Sequence, residues 1–387
     1  MGIDTPVWVL IAKSSGILLL MAMNTKPPTT ASGFNKPLLG TQRSALGIFF
    51  PHLRNRLRLL WSYLRKRSHV PGGPLTLAIE STAKCNLFCP MCPRENFHFP
   101  ARDMELSLFR KILDESKDHL EFAVPYGVGE PLLNPEIYDM IAYCKLLRVP
   151  CGISTNATTL TEAASRKLIE AGLDYIIFAF DGATRETFEK YRKGADFEKV
   201  RENVHTFLRV KKEMRSRIFC IVQVVKLKDN VGEIPDLIRM WRVEGINEVR
   251  VKKDEVHNEG SAIPGDNLTR PPLRHPCYLL WRGPMYIHYD GTVFPCCYIF
   301  PNEPIGNVKK TPLTEIWNSE KMVKLRQAHI DGNLTEYKAC QNCPAARPRL
   351  AATAASFLVN TETVRRAIPF FERLAQLRHI SIFETLK

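Results

Sequence analysis

A chain of 387 residues with 45% hydrophobic and 24% charged side chains holds enough apolar material for one large core or two smaller ones. That apolar fraction, with only 21 glycines, excludes disorder, collagen and coiled coil. The net charge of +14 sits mostly at the ends: residues 1–70 hold ten Lys/Arg against the single acid Asp4, and residues 344–387 hold seven against three. Residues 71–343 hold 37 against 36, and that near-neutrality argues against a nucleic-acid-binding core.

The N-terminal extension, residues 1–70, comes first. Its apolar runs Val7–Ala12 and Ile17–Met23 are interrupted by Lys13, and neither reaches the roughly 20 residues a membrane helix needs. No basic region precedes them as in a signal peptide, and Met21 or Met23 stay open as starts. Lys26–Gly40, rich in Pro, Thr, Ser and Gly, reads as a disordered linker. In residues 49–68, Leu53, Leu57, Leu60, Trp61 and Leu64 recur at helical spacing. Arg54, Arg56, Arg58, Arg65, Lys66 and Arg67 lie between and after them, with no acid. Such a basic amphipathic helix either packs on the main domain or rests peripherally on an anionic membrane.

From residue 75, short apolar runs alternate with amphipathic stretches. Strands are expected at Leu75–Glu80, Glu121–Tyr126, Cys151–Thr155, Tyr175–Phe180, Phe219–Val225 and Glu248–Val251. Helices are expected at Pro135–Leu147, Thr161–Ala171, Phe197–Lys212 and Val231–Val243, with Thr161 as a start and Gly172 as a stop signal. Repeated βα units force parallel strands, as an open sheet or a partial barrel, whose functional residues gather at the strand C-terminal ends. Beyond the repeats, residues 346–387 read as a helical tail, with helices at Ala351–Phe357 and Val364–Leu377.

Eleven cysteines, odd in number and several closely spaced, suit metal ligation in a reducing cytoplasm better than a secreted disulfide scaffold. Directly after the first strand, Cys85, Cys89 and Cys92 can wrap one small metal centre from a single loop. Zinc would want a fourth ligand, for which His98 is the near candidate, and a ferredoxin-type cluster would want a fourth cysteine. Three thiolates on a four-iron cluster leave one iron open for a substrate or cofactor.

This CxxxCxxC loop resembles that of the radical S-adenosylmethionine (SAM) superfamily. Gly127-Val128-Gly129-Glu130-Pro131 is similar to the family's GGEP motif, Ser154-Thr155-Asn156 to its polar ribose or carboxylate contacts, and Phe180-Asp181-Gly182 to its SxDG-type sequence. The resemblance implies a partial (β/α)6 TIM-like barrel over residues 71–270. It also implies SAM contacts from Gly127, Gly129, Glu130, Pro131, Ser154, Asn156 and Asp181, and from Met91 where the family often has an aromatic. A carboxylate at Glu130 suits the ammonium of SAM, and glycines allow close backbone approach.

Cysteines return at Cys277, Cys296, Cys297, Cys340 and Cys343. Tyr286–Tyr289 and Val293 onward read as a hairpin across Asp290-Gly291, a type I′ signal, and zinc competes for the site it would build. With Gly291–Cys296 and Gly306-Asn307, the set resembles the SPASM or Twitch extensions that hold auxiliary [4Fe–4S] clusters, here over residues 271–345. It implies Cys277, Cys296, Cys340 and Cys343 as ligands of one cluster, with Cys296 and Cys297 interchangeable. Cys144, Cys151 and Cys220 read as buried small hydrophobes.

The resemblance implies an oxidoreductase-type enzyme. An electron from a flavodoxin- or ferredoxin-like donor cleaves SAM, the 5′-deoxyadenosyl radical takes a hydrogen atom from a substrate C–H bond, and an auxiliary cluster accepts the electron left behind. A sugar or cyclitol-like small molecule is the first substrate expectation and a peptide the second, with a non-catalytic iron–sulfur or zinc protein as the competing class. Acid–base candidates are Tyr126, Arg192, Lys252, Glu255 and His257.

Overall fold

The computed structural model describes residues 45–96, 100–253, 275–341, 343 and 350–358. The linker at Lys26–Gly40, His98, Glu255, His257 and the helix expected at Val364–Leu377 lie outside these residues. Helix α1 (Ala45–Leu64) leads through residues 65–75 into β1 (Thr76–Ile79). There follow α2 (Leu106–Ser116), β2 (Phe122–Val124), α3 (Ile137–Leu146), β3 (Gly152–Thr155), α4 (Glu162–Glu170) and β4 (Tyr175–Ala179). Next come α5 (Arg185–Tyr191), α6 (Phe197–Glu213), β5 (Phe219–Lys226), α7 (Ile234–Met240) and β6 (Glu248–Lys253).

All six expected strands form. Parallel pairing joins β1 to β2, and a parallel bridge from Ala123 to Cys151 carries the order on to β3, which continues through β4 and β5 to β6. Strands β4 and β5 read as near-continuous apolar runs, as in a parallel α/β sheet. The helices dock by regular stripes: Val200, Val204, Phe207 and Leu208 of α6 are buried at helical spacing. Side-chain oxygens cap the starts of α4, α5 and α6. Thr161 accepts from the Ala164 N–H at 3.2 Å and Asp196 from the Lys199 N–H at 2.8 Å, while Gly172 stops α4 at φ +84°. Sequence periodicity missed α2 and α5. Helix α2 buries Leu108, Phe109, Ile112 and Leu113 at regular helical spacing, so its pattern was present in the sequence, whereas α5 is only 7 residues long.

The C-terminal part contains α8 (Leu279–Arg282), β7 (Met285–Ile287), β8 (Thr292–Phe294), β9 (Gly306–Asn307), α9 (Leu313–Ile316), α10 (Glu320–Asp331), α11 (Lys338–Gln341) and α12 (Leu350–Leu358). Strand β7 adds in parallel to the free edge of β1, Ala78 opposite Tyr286, and β8 and β9 continue antiparallel. The cysteine-bearing hairpin is therefore hydrogen-bonded to the barrel's first strand. Its turn is not type I′. Gly291 alone has positive φ, +89°, while Asp290 does not, and the Gly291 N–H donates to His288 O and the His288 N–H to Thr292 O. This is a three-residue loop with glycine in the left-handed position, the hairpin connection next in frequency after the two-residue turns.

Buried Arg326 fastens the same region. Its Nε donates to Leu280 O at 2.8 Å and its Nη1 to Ser68 O and Asn318 Oδ1, and its guanidinium lies 4.3 Å over the Trp317 ring. Burial lowers its pKa to about 9, and backbone carbonyls rather than an acid compensate it.

Candidate active site

The strand ends meet at one face. Cys85, Cys89 and Cys92 follow β1 on a loop tightened by the Cys92 N–H donating to Cys89 O at 2.9 Å. Burial raises all three thiols, Cys89 to about 11, and neighbouring thiols add to the rise at Cys89. A bound cation reverses that logic and stabilises thiolates, so the donor set fits an iron–sulfur centre.

The Gly127–Pro131 segment lies directly against this loop. Glu130 N–H donates to Lys84 O at 2.7 Å, and a Cβ on Gly129 would stand 2.0 Å from Thr82 O and 2.8 Å from Lys84 O. Only glycine permits that backbone approach. Glu130 is buried and caps the 3₁₀ turn Pro131–Leu133. Its carboxylate accepts from Thr155 Oγ1 at 2.8 Å, the Asn156 N–H at 2.7 Å and the Leu132 N–H at 3.2 Å. Burial still raises its pKa to about 7, the hydrogen bonds recovering only part of the lost hydration. Asn156 then reaches the cluster loop, its Nδ2 donating to Asn86 Oδ1 at 3.0 Å and lying 4.0 Å from Cys85 Sγ. Ser154 is half-buried in β3, and its neighbour Thr155 is the strand residue that holds Glu130.

Asp181 is fully buried and engaged within the protein. It accepts from the Val225 N–H at 2.6 Å and from Arg192 Nε at 2.6 Å. Burial works against the Arg192 charge, but Asp181 and the thiols of Cys89 and Cys92 outweigh it and raise its pKa. Asp181 is thereby a positioning residue that fixes a permanent positive charge beside the cluster loop. Met91 is buried with Leu87, Cys89, Tyr191 and Leu227 in a small apolar cluster of its own. Of the acid–base candidates, Tyr126 is half-buried beyond β2 and Lys252 is exposed on β6.

A group that sequence reasoning missed adjoins the same motif. Glu80, at the end of β1, is fully buried and accepts from the Val128 N–H at 3.0 Å. His288 Nε2 lies 3.2 Å from Glu80 Oε2, and its Nδ1 stands 3.1 Å from Asp290 Oδ1. The Tyr286 hydroxyl sits against the Glu80 carboxylate, and a Cβ on Gly127 would meet that hydroxyl at 2.4 Å. Burial raises the Glu80 pKa, with His288 and the Val128 N–H pulling the other way. The only sequence signal was an acid at the end of a strand.

The second cysteine set also converges. Cys277 lies within electrostatic reach of Cys296 and Cys340, and Cys343 within reach of Cys340. Burial drives Cys296 well above the usual thiol range and Cys340 to about 12. Cys296 is buried and Cys297 exposed, whereas Cys144, Cys151 and Cys220 are buried in the barrel. Among the described residues no three His, Cys, Asp or Glu side chains form a single-ion site.

Fold and site together define a barrel enzyme with an appended iron–sulfur domain. The radical SAM superfamily profile matches residues 79–240, and the profile of the SPASM iron–sulfur cluster-binding domain matches 277–344. The chain belongs to the radical SAM superfamily, carries a C-terminal SPASM domain, and is a radical SAM enzyme whose cofactors are SAM, its [4Fe–4S] cluster and SPASM auxiliary iron–sulfur.

Among curated relatives it is 27% identical to the tungsten-containing aldehyde ferredoxin oxidoreductase cofactor-modifying protein of Pyrococcus furiosus, covering 69% of this chain and 86% of that one. It is 23% identical to the PqqA peptide cyclase of Gluconobacter oxydans over 79% and 94% of the two chains. It is 24% identical to the AdoMet-dependent heme synthase of Methanosarcina barkeri over 74% and 95%. The structure of Streptococcus suis SuiB bound to S-adenosylmethionine superposes with a TM-score of 0.57 at 16% identity over 73% of both chains, which shows the shared fold.

Proposed function

We propose that this enzyme oxidises an unactivated C–H bond of its substrate, with a single auxiliary cluster at Cys277, Cys296, Cys340 and Cys343 as the electron acceptor. The observation that carries the reading is the convergence of the Cys85–Cys92 loop, Gly129-Glu130 and Asn156 on one face of the barrel. Cys85, Cys89 and Cys92 would hold the [4Fe–4S] cluster, which would supply an electron for reductive cleavage of SAM. The chain's own residues orient and shield. Thr155 and Asn156 fix the Glu130 carboxylate for the SAM ammonium, Gly129 lets the motif lie on the cluster loop, and Arg192 favours thiolates at Cys89 and Cys92. Leu87, Met91, Tyr191 and Leu227 keep water from the loop's inner side.

The substrate we favour is a peptide, because similarity to the PqqA peptide cyclase runs through nearly its whole length. A small polar metabolite such as a sugar or cyclitol is the second reading. It is favoured by the direct lead from α1 into β1, with no β-rich recognition module within residues 45–75.

Iron and acid-labile sulfide, measured after anaerobic reconstitution together with 5′-deoxyadenosine release, test the proposal. Two four-iron clusters predict roughly eight iron per chain. About four iron, all lost in Cys85→Ala/Cys89→Ala/Cys92→Ala, would remove the acceptor from the mechanism.

A further inference from the structure

Helix α1 has two faces of different character. Its inner face is committed to the protein. Asn55, Leu59, Ser62 and Tyr63 are buried, Tyr63 packs 5.6 Å from Trp281 and 5.4 Å from Phe357, and Arg56 Nη2 donates to Glu121 at 2.6 Å. Past its end, Trp281 Nε1 donates to Arg67 O at 2.8 Å, and Val70 exchanges hydrogen bonds with Asn318. A packed helix normally turns a polar face to water. Here the outer face carries Phe50, Leu57, Trp61 and Leu64, which are 62%, 51%, 49% and 49% exposed. They recur at the spacing of one helical stripe, and Phe50, Leu57 and Trp61 line a shallow depression together with Leu53, Arg54 and Arg58. Exposed Arg54, Arg58, Arg65, Lys66 and Arg67 surround them, and residues 45–70 contain no acid. The Arg65 guanidinium lies 4.4 Å over the Trp61 ring.

We propose that this outer face of α1 docks the enzyme on an anionic phospholipid bilayer, with α1 lying in the interface plane. The charge complementarity is one-sided: residues 45–70 present five exposed cations and no anion, so an anionic leaflet attracts every charge that this segment carries. The apolar stripe supplies burial into the headgroup–acyl boundary, and an indole beside arginine suits that boundary because one end is apolar and the other wet. Among the described residues no helix is long and apolar enough to cross a membrane, so the attachment is peripheral. Since the inner face is fixed by Tyr63, Arg56 and the Asn318 contacts, docking leaves the barrel unchanged and needs no unfolding of α1.

The test uses the full chain in flotation with vesicles of phosphatidylcholine alone and of phosphatidylcholine with phosphatidylglycerol. The expected result is binding to the anionic vesicles only, weakened by salt. Arg54→Ala and Arg58→Ala should each reduce affinity about five-fold. Leu57→Glu/Trp61→Glu should abolish binding while iron content and SAM cleavage stay at wild-type levels. Equal binding to both vesicles, or none to either, overturns the proposal. So does retained binding in Leu57→Glu/Trp61→Glu, which would assign attachment to another segment such as residues 1–44. A wild-type dimer that this variant converts to monomer, without vesicle binding, would make the stripe a contact between copies instead.

Discussion

The two cysteine sets reach similar chemistry by opposite routes. Cys85, Cys89 and Cys92 lie within eight consecutive residues, so connectivity alone gathers them once β1 ends. Cys277, Cys296, Cys340 and Cys343 come from the approach to α8, the segment after β8, α11 and the second residue beyond it, and only the tertiary fold brings them together. Their surroundings differ as well. Charged groups, Arg192, Arg94 and Glu130, stand near the first set, whereas Cys296 is buried with other cysteines as its principal charged neighbours. A loop-built site depends on local geometry, and a tertiary-built one depends on the whole domain being in place.

The strongest break in that comparison is to remove each set in turn. Cys85→Ala/Cys89→Ala/Cys92→Ala should lose about four of roughly eight iron and all 5′-deoxyadenosine release, with little change in thermal stability. Cys277→Ala/Cys340→Ala should lose the other four and lower the melting temperature, while SAM cleavage continues without substrate oxidation. Iron analysis, calorimetry and nucleoside chromatography read all three. Loss of SAM cleavage in the second variant would mean that the sites are not separable.

The seam between the two regions gives the next effect. His288 faces the buried Glu80 carboxyl group, which also accepts from the Val128 N–H of the Gly127–Pro131 segment. His288→Leu removes the ring that faces that carboxyl group, leaving it only the Val128 N–H and the Tyr286 hydroxyl, and should cost on the order of 1 to 3 kcal/mol in urea unfolding. Glu80→Gln/His288→Leu should recover part of the loss, since the group left without the ring is then an amide. If the single variant costs no more than the double, the Glu80–His288 contact does not join the barrel to the hairpin.

How far these sites were legible follows the same division. The loop ligands, the six strands and the Thr161 cap depend on neighbours in sequence, and periodicity and spacing display them. Glu80 and His288 are 208 positions apart and look like any strand-end acid and hairpin histidine until β7 pairs with β1. Thr155 and Ser154 are adjacent, and strand alternation alone could not say which one faces Glu130. The outer face of α1 was visible as an apolar and basic pattern, but only its packing showed which residues the protein itself covers.

Glu130 offers a smaller, pH-dependent effect. Its pKa rises from the ordinary 4.5 to about 7 on folding, through burial. A group raised on folding binds its proton more tightly in the native state, so its contribution is fully present below about pH 4.5 and lost as the pH climbs to about 7. In SAM-free protein, wild-type stability relative to Glu130→Gln should therefore fall by on the order of 3 kcal/mol across that window. The amide also places a donor against the Asn156 N–H, a cost that does not vary with pH, so the slope and not the offset is diagnostic. A flat difference between pH 4.5 and 7.5 would show that the carboxylate is better solvated than its burial implies.

The smallest effect separates two adjacent cysteines and decides how the second set is assembled. Cys296 is buried among Cys277 and its neighbours, and Cys297 is exposed. The backbone emerging from β8 turns consecutive side chains in different directions, so one thiol enters the domain as the other faces solvent. Cys297→Ser should leave iron content unchanged and shift stability by less than about 0.5 kcal/mol, as surface substitutions do. Cys296→Ser should lose the auxiliary iron. Loss of iron from Cys297→Ser with retention in Cys296→Ser would exchange the two roles, and would require the segment after β8 to rotate when the cluster is bound. The second site would then be built by its metal as much as by the fold.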